Sequence, residues 1–216
     1  MFLIINMKDT KKHNLILDLD ETIIHSVSSD EMKHMENKKH KSHKNLEKLE
    51  GLKSHDMDGQ YTVIERPGLQ SFLDFAFENF NVSVWTAASK EYALFIINEV
   101  ILKGDGRQLD LVMWSDHCDI SKKKFKNKRR IKDLQLIWDS DGAGSTYAQS
   151  NNLILDDNED VFNGQEKNCV SMYPFQVDND DFATDDFLNR LQPELLKYTE
   201  GSHDDAETIN DVLDTN

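Results

Sequence analysis

Two short apolar segments that each end in a pair of aspartates constrain this chain more than any other feature. In "NLILDLD" the apolar run ends at Asp18 and Asp20, and in "NLILDD" it ends at Asp156 and Asp157. Short apolar runs followed by polar residues are typical of buried strands. If both strands belong to one parallel sheet, their carboxyl ends meet at the same edge, where ligands bind in such sheets. The sequence therefore predicts four carboxylates in one crevice.

Further strands and helices alternate between these two segments. "RPGLQSFLDFAFENF" and "KEYALFIINEVIL" have apolar residues at helical spacing, and a shorter helix is expected in "IKDLQLIWDS". Strands are expected in "YTVIE", "NVSVWT", "LDLVMWS" and "NCVSM". Alternating strands and helices predict an α/β fold with a Rossmann-like parallel sheet flanked by helices. The length of 216 residues fits one such domain, over residues 14–198, after an N-terminal extension of residues 1–13.

Two polar stretches are expected to add little to the core. Residues 28–58 contain few apolar residues, which predicts a partly flexible polar insertion after the first strand and no large cap domain. A short helix around Leu46 to Leu52 is expected within it. From Asp178 to Asn216 there are twelve acidic and two basic residues, and residues 199–216 are expected to form an acidic, disordered tail.

Composition excludes several classes of protein. Two cysteines do not make a disulfide framework, and no apolar run approaches the roughly 20 residues of a membrane span. Because the net charge is −15, the chain is not expected to have the broad basic surface that nucleic-acid binding requires. We expect a soluble intracellular protein with no membrane or direct nucleic-acid partner. The sequence does not separate nucleus from cytoplasm, and it leaves the oligomeric state open.

Four carboxylates in one crevice require compensation, because like charges at close range raise each other's pKa. Mg²⁺ supplies it, since this ion prefers oxygen ligands and keeps positions open for water or phosphate. The Asp18 and Asp157 carboxylates are the expected ligands. Asp20 is expected to offer its backbone carbonyl and to keep its side chain free for proton transfer.

Four motifs in order resemble one known superfamily. "LDLDETIIHS" resembles the DxDxT motif of haloacid dehalogenase superfamily phosphatases, and most closely that of the RNA polymerase II C-terminal-domain phosphatases, the small CTD phosphatase or NLI-interacting-factor-like family. "ERPGLQSFLDFAFENFNVSVWTAASKEYA", "RRIKDL" and "NLILDDNEDVF" resemble the motifs that follow it in that family. The resemblance covers about Leu15 to Tyr198.

This resemblance implies a role for each motif residue. Asp18 would be the nucleophile that forms an aspartyl-phosphate, and Asp20 the general acid and then the general base. Thr86 would hydrogen-bond a phosphoryl oxygen, and Lys132 would neutralise charge on the phosphate and the nucleophile. Mg²⁺ would be held by Asp18, the Asp20 carbonyl and Asp157. Such a division of labour suits phosphoryl transfer.

Three further residues receive supporting roles from the same resemblance. Asp156 would orient Lys132 or a metal-bound water, Thr22 would stabilise the turn after the strand, and Arg66 is a weaker candidate for a phosphate contact. The implied activity is a protein serine/threonine phosphatase, with an RNA polymerase II tail-like peptide as the leading substrate. A small-molecule phosphomonoesterase and a catalytically idle phosphopeptide-binding scaffold remain alternatives. The insertion lacks the apolar strands that form a proline-accepting pocket in these phosphatases.

Overall fold

The described part of the chain contains a six-stranded sheet and a second sheet of three strands. The computed structural model describes residues 3–4, 12–37, 45–129, 131–140 and 146–214. Most of the predicted N-terminal extension, residues 38–44 of the insertion and the last two residues of the tail lie outside these ranges. Five strands of the first sheet are parallel, and the strand nearest the N-terminus pairs antiparallel at one edge. The second sheet is antiparallel.

The strands are β1 (Leu3–Ile4), β2 (Asn14–Leu17), β3 (Ile24–Ser28), β4 (Ser54–Met57), β5 (Tyr61–Glu65), β6 (Asn81–Trp85), β7 (Leu111–Met113), β8 (Asn152–Asp156) and β9 (Cys169–Ser171). The larger sheet has the order β1-β7-β6-β2-β8-β9 and the smaller one the order β3-β5-β4. The bounds agree with the apolar runs of the sequence for β2 and for β5 to β9.

Helices cover both faces of the larger sheet. The α-helices are α1 (Ser29–Glu36), α2 (Leu46–Leu49), α3 (Leu69–Asn79), α4 (Lys90–Ile96), α5 (Ser115–Phe125), α6 (Gln135–Trp138), α7 (Glu159–Phe162), α8 (Phe187–Thr199) and α9 (Ala206–Asp214). A π-helical turn over Ile97–Ile101 extends α4, and 3₁₀ turns occur at Gln149–Asn151 and Phe182–Thr184. None of the helices in the described residues has the length and apolar character needed to cross a bilayer.

The alternation of side chains along β2 divides the core into two layers. Leu15 and Leu17 lie in the cluster formed with α3, α4, α8 and α9, whereas Ile16 lies in the cluster formed with α5, α6 and α7. Successive side chains of a strand point to opposite faces, so a strand that is apolar throughout is buried on both sides. The predicted Rossmann-like parallel sheet flanked by helices is confirmed.

The insertion is more ordered than the sequence predicts. Within residues 28–58, β4 pairs with β5, which also pairs with β3, and α1 packs beside these strands. Met35, Val27 and Ile64 form a small core with Phe175 and other apolar residues of the segment after β9. The expected flexibility of the described part of this insertion was wrong, because its apolar partners after β9 lie more than a hundred residues away along the chain. The one internal strand of that described part, β4, is polar, as the sequence indicates.

The acidic tail is also folded over most of its length, which corrects the expectation of disorder. Ala206 and Ile209 of α9 are fully buried in the main core. The Asn210 side chain donates to the Cys169 carbonyl and accepts the Ser171 N–H, each at 3.0 Å. It therefore satisfies the backbone groups of β9, the edge strand of the larger sheet, as a neighbouring strand would.

Ile209→Ala is expected to lower the free energy of unfolding by about 3 kcal/mol, because it empties a fully buried site in the core. Glu207→Ala on the same helix removes a half-exposed side chain and is expected to change this free energy by less than about 0.5 kcal/mol. Urea unfolding of both variants measures the difference. An equal, small effect of the two substitutions would mean that α9 is not part of the core.

Candidate active site

Three neighbouring strands bring the predicted site residues to one edge of the sheet. β2 pairs with β6 on one side and with β8 on the other, so Asp18, Thr86 and Asp156 lie at adjacent strand ends. The Asp18 N–H donates to the Leu155 carbonyl at 3.0 Å, which extends the β2–β8 ladder as far as this residue. Asp18 and Asp156, each from one of the two apolar segments, thus lie side by side at this edge.

Lys132 lies between two buried carboxylates. Its Nζ is 2.5 Å from Asp18 Oδ1 and 2.8 Å from Asp156 Oδ2, and all three side chains are at least nine-tenths buried. Burial raises the pKa of Asp18 well above its usual range, while Lys132 opposes that rise and Asp156 adds to it. Burial by itself would lower the pKa of Lys132, but Asp156 and Asp18 together raise it, so the ammonium stays charged. One positive charge therefore balances only part of this acidic centre.

Asp157 completes an acidic cluster suited to a divalent cation. One carboxylate oxygen from each of Asp18, Asp156 and Asp157 lies within 4.8 Å of the others. Thr22 Oγ1 donates to Asp157 Oδ1 at 3.1 Å and orients that carboxylate. Burial, followed by the charge of Asp156, raises the pKa of Asp157 to about 6. Carboxylate oxygens in excess over the nearby cation are the donor set that Mg²⁺ favours, so the residues fit this ion.

Asp20 is held apart from that cluster by a tyrosine that the sequence reasoning missed. Tyr92, in the first turn of α4, donates its hydroxyl proton to Asp20 Oδ1. Ser26 lies 2.5 Å from the same tyrosine oxygen and is left to donate to it. Burial raises the pKa of Asp20, and the hydrogen bond from Tyr92 opposes that rise. The sequence did contain a signal, since Ser89 caps a helix that begins just after β6 and aims its first turn at the crevice.

The Thr86 hydroxyl is oriented by its own backbone. Thr86 is buried, and its Oγ1 accepts the Ala88 N–H at 3.0 Å. Its N–H donates to the Met113 carbonyl of the neighbouring strand, also at 3.0 Å. Because Oγ1 already accepts a backbone N–H, its O–H proton remains for an oxygen atom in the crevice.

The Arg66 guanidinium is bound to other parts of the protein and supports the site from behind Thr22. Its Nε and Nη2 donate to the two carboxylate oxygens of Asp185 at 2.9 and 2.7 Å, and Nη1 donates to the Thr22 carbonyl at 2.9 Å. The guanidinium is buried and lies over the ring of Phe187, 5.0 Å from its centroid. Arg66 therefore ties the turn after Asp20 to the start of α8.

The fold and the residues at its edge define a class of protein. A parallel α/β sheet with DxDxT at the end of its second strand, a threonine at the next strand end and a lysine between paired aspartates is the arrangement of haloacid dehalogenase-type phosphatases. Comparison with known families specifies it further, because residues 13–215 match the model of the NLI interacting factor-like phosphatase family. The chain belongs to this phosphatase family.

Relatives and solved structures agree with this assignment. A CTD phosphatase-like protein of Invertebrate iridescent virus 6 is 37% identical over 186 residues, which are 86% of this chain and 98% of that protein. The protein of the same name from Invertebrate iridescent virus 3 is 35% identical, over 89% of this chain and all of that protein. The structure of Fcp1, an essential RNA polymerase II CTD phosphatase, shares the fold, with a TM-score of 0.52 and 23% identity. The match covers 89% of this chain but about half of the Fcp1 chain.

Proposed function

We propose that this chain is an Mg²⁺-dependent, aspartate-based protein phosphatase that hydrolyses phosphoserine, with phosphothreonine as a second substrate. The observation that carries the proposal is the buried Asp18 carboxylate, in contact with Lys132 and adjacent to Asp156 and Asp157. A buried carboxylate next to a fixed cation and a potential metal site can attack phosphorus, because both charges stabilise the negative charge of the transferred group.

In the first half of the proposed reaction, Asp18 attacks the phosphorus atom and the bond between phosphorus and the serine oxygen breaks. Asp20 gives its proton to that leaving oxygen. In the second half, Asp20 takes a proton from the water that attacks the aspartyl-phosphate, which releases inorganic phosphate and restores Asp18. The raised pKa of Asp20 favours the protonated form that the first half requires.

The remaining residues position and neutralise the phosphoryl group. The Lys132 ammonium faces the attacking carboxylate, and the Thr86 hydroxyl can donate to a phosphoryl oxygen. Mg²⁺ held by Asp18, the Asp20 carbonyl and Asp157 would supply further positive charge at the phosphate. Asp156 would hold Lys132 in place, since it accepts a hydrogen bond from this ammonium at 2.8 Å.

An open groove beside Asp20 supports a protein substrate over a small metabolite. The groove has a volume of about 790 Å³ and runs between the β4–β5 turn and the first turn of α4. This is more room than a phosphorylated side chain needs, and it suits an extended peptide. An RNA polymerase II tail-like peptide is the leading candidate, supported by the names of the viral relatives and of Fcp1.

The test is hydrolysis of para-nitrophenyl phosphate and of phosphoserine peptides by the purified protein, with Mg²⁺ and with chelator. Turnover with Mg²⁺ that the chelator abolishes supports the proposed chemistry. Preference for phosphopeptides over sugar and nucleotide phosphates supports the substrate class, and the reverse preference would indicate a small-molecule phosphomonoesterase. A folded protein that binds phosphopeptides without turnover, with Mg²⁺ present, would be a scaffold.

Tyr92→Phe is expected to slow hydrolysis of phosphoserine peptides about tenfold, because Asp20 loses the hydroxyl that orients it as the general acid. The effect is expected to be smaller for para-nitrophenyl phosphate, whose leaving group needs little protonation. Measuring kcat for both substrates separates loss of acid catalysis from general damage to the site. An equal decrease for the two substrates would contradict a positioning role for Tyr92.

A further inference from the structure

The groove beside Asp20 has a chemical character that the proposed reaction does not require. One wall is lined by Met57, Asp58, Gln60 and Tyr61, and the other by Ala88, Ser89, Glu91 and Tyr92. Four of its lining residues are acidic, and none of the described residues that line it is lysine, arginine or histidine. These acidic residues are Asp20, Glu21, Asp58 and Glu91.

Two of these carboxylates are available to a ligand in the groove. Asp58 and Glu91 are exposed, and neither forms an ion pair with a described residue. Glu21, in contrast, is 3.2 Å from His25. Asp58 and Glu91 also approach the groove from opposite walls, Asp58 from the β4–β5 turn and Glu91 from the first turn of α4. A ligand in the groove therefore meets negative charge on both sides.

An aromatic pair lies between the acidic walls. Tyr61 contacts Tyr92 edge to face, with ring centroids 5.9 Å apart, and Tyr61 remains 38% exposed. An exposed tyrosine ring with carboxylates on either side favours a cationic side chain, because the ring face and the carboxylates both attract positive charge. Arginine gains most, since its planar guanidinium can lie on the ring and donate to a carboxylate at the same time.

The groove is continuous with the reaction centre, because Asp20 belongs to both. A peptide whose phosphate reaches Asp18 can therefore lay its neighbouring residues along the groove. We propose that this groove selects phosphoserine segments with an arginine or lysine within about three residues of the phosphate, bound by Asp58, Glu91 and Tyr61. This inference rests on the proposed phosphatase activity, and it favours phosphoserine segments with a basic neighbour over a tail-like peptide that has none.

The experiment compares three phosphoserine peptides that differ at one flanking residue, which is arginine, alanine or glutamate. In the wild type, we expect kcat/KM to be about tenfold higher for the arginine peptide than for the alanine peptide, and lowest for the glutamate peptide. Each variant is judged by its ratio between the arginine and glutamate peptides, so that changes common to both peptides cancel.

The test variant is Asp58→Asn combined with Glu91→Gln. Both changes remove charge at nearly constant size, and asparagine tolerates the left-handed backbone of position 58, where φ is 49°. The ratio is expected to fall toward one in this variant and to keep its wild-type value in Glu78→Gln, which removes an exposed acid on α3 away from the groove. Equal turnover of the three peptides by the wild type, or a ratio that survives in the double variant, would overturn the proposal.

Binding separates this inference from the proposed catalysis. Fluorescence anisotropy with the same three labelled peptides is measured on Asp18→Asn protein, with and without the two groove substitutions. One outcome is that the wild type hydrolyses none of the peptides, yet the arginine peptide binds most tightly and does so through Asp58 and Glu91. In that case the groove assignment stands and the phosphatase assignment fails. Equal binding of the three peptides would refute the groove assignment regardless of turnover.

Discussion

Asp18→Asn is expected to lower phosphoester hydrolysis by about 10⁴-fold or more while leaving the protein folded. The substitution keeps the shape of the side chain but replaces the attacking oxygen with an amide, and removing a nucleophile has effects of this size in other enzymes with covalent intermediates. Stability should not fall, because Asp156 still accepts the hydrogen bond from Lys132 at 2.8 Å. The change also removes one of two like charges that burial holds close together.

Two measurements check this expectation. The first is the rate of para-nitrophenyl phosphate hydrolysis at saturating Mg²⁺, together with thermal unfolding in the presence of chelator. The second is acid quenching during turnover of a ³²P-labelled substrate, which should trap a labelled protein for the wild type and none for Asp18→Asn. A matched control is Asp116→Asn, an exposed change at the start of α5. Residual activity within tenfold of the wild type would assign the nucleophile elsewhere.

The convergence of the site was predictable because it depends on local patterns and one topological rule. Each of the strands that end at Asp18, Thr86 and Asp156 is apolar, short and followed by polar residues, so each strand can be identified alone. Parallel strands separated by helices must then place their carboxyl ends at one edge. Lys132 is different, since it ends a basic segment, residues 122–132, with eight lysines and arginines and no acid, and only the family resemblance singled it out. The structure shows why this lysine differs, because it alone in that segment is described as buried between two carboxylates.

The insertion and the tail were mispredicted because their stability is not local. The segment around Met35 is polar by composition, and its apolar residues become a core only when the segment after β9 supplies Phe175 and Phe182. In α9, Ala206, Ile209 and Leu213 follow a helical spacing. The prediction of disorder counted the many acidic residues around them and did not consider this spacing. Composition gives the average polarity of a segment, whereas a helix can pack on the core with only one apolar face.

Lys132→Met is expected to lower the free energy of unfolding by about 3–5 kcal/mol when no divalent ion is present. Lys132 contacts both Asp18 and Asp156, and removing it leaves two buried carboxylates without a cationic partner. Activity is expected to fall as well, because the ammonium faces the attacking oxygen. The exposed control Lys123→Met, in the same basic segment, is expected to change stability by less than about 0.5 kcal/mol.

The pH dependence of this loss has a definite sign. Burial already raises the pKa of Asp18 above the value of 3.8 for a free carboxyl group, and loss of the lysine raises it further. The folded variant therefore binds more protons than the unfolded chain between 3.8 and the raised pKa, so its stability increases as pH falls through that interval. Urea unfolding of the variant relative to the wild type should show a smaller deficit at pH 5 than at pH 7.5.

Mg²⁺ provides the decisive comparison for the same variant. If Asp18, Asp156 and Asp157 form a cation site, the ion should bind the folded variant and restore part of the lost stability, since a ligand that binds only the folded state stabilises it. Ca²⁺ is expected to restore less of the lost stability than Mg²⁺, and K⁺ at equal ionic strength is expected to restore little. Restored stability without restored activity would separate the two roles of Lys132, as a buried counter-charge and as a group that acts on the phosphate. Failure of Mg²⁺ to stabilise either the variant or the wild type would contradict a metal site at this edge of the sheet, whatever the effect of the lysine on folding.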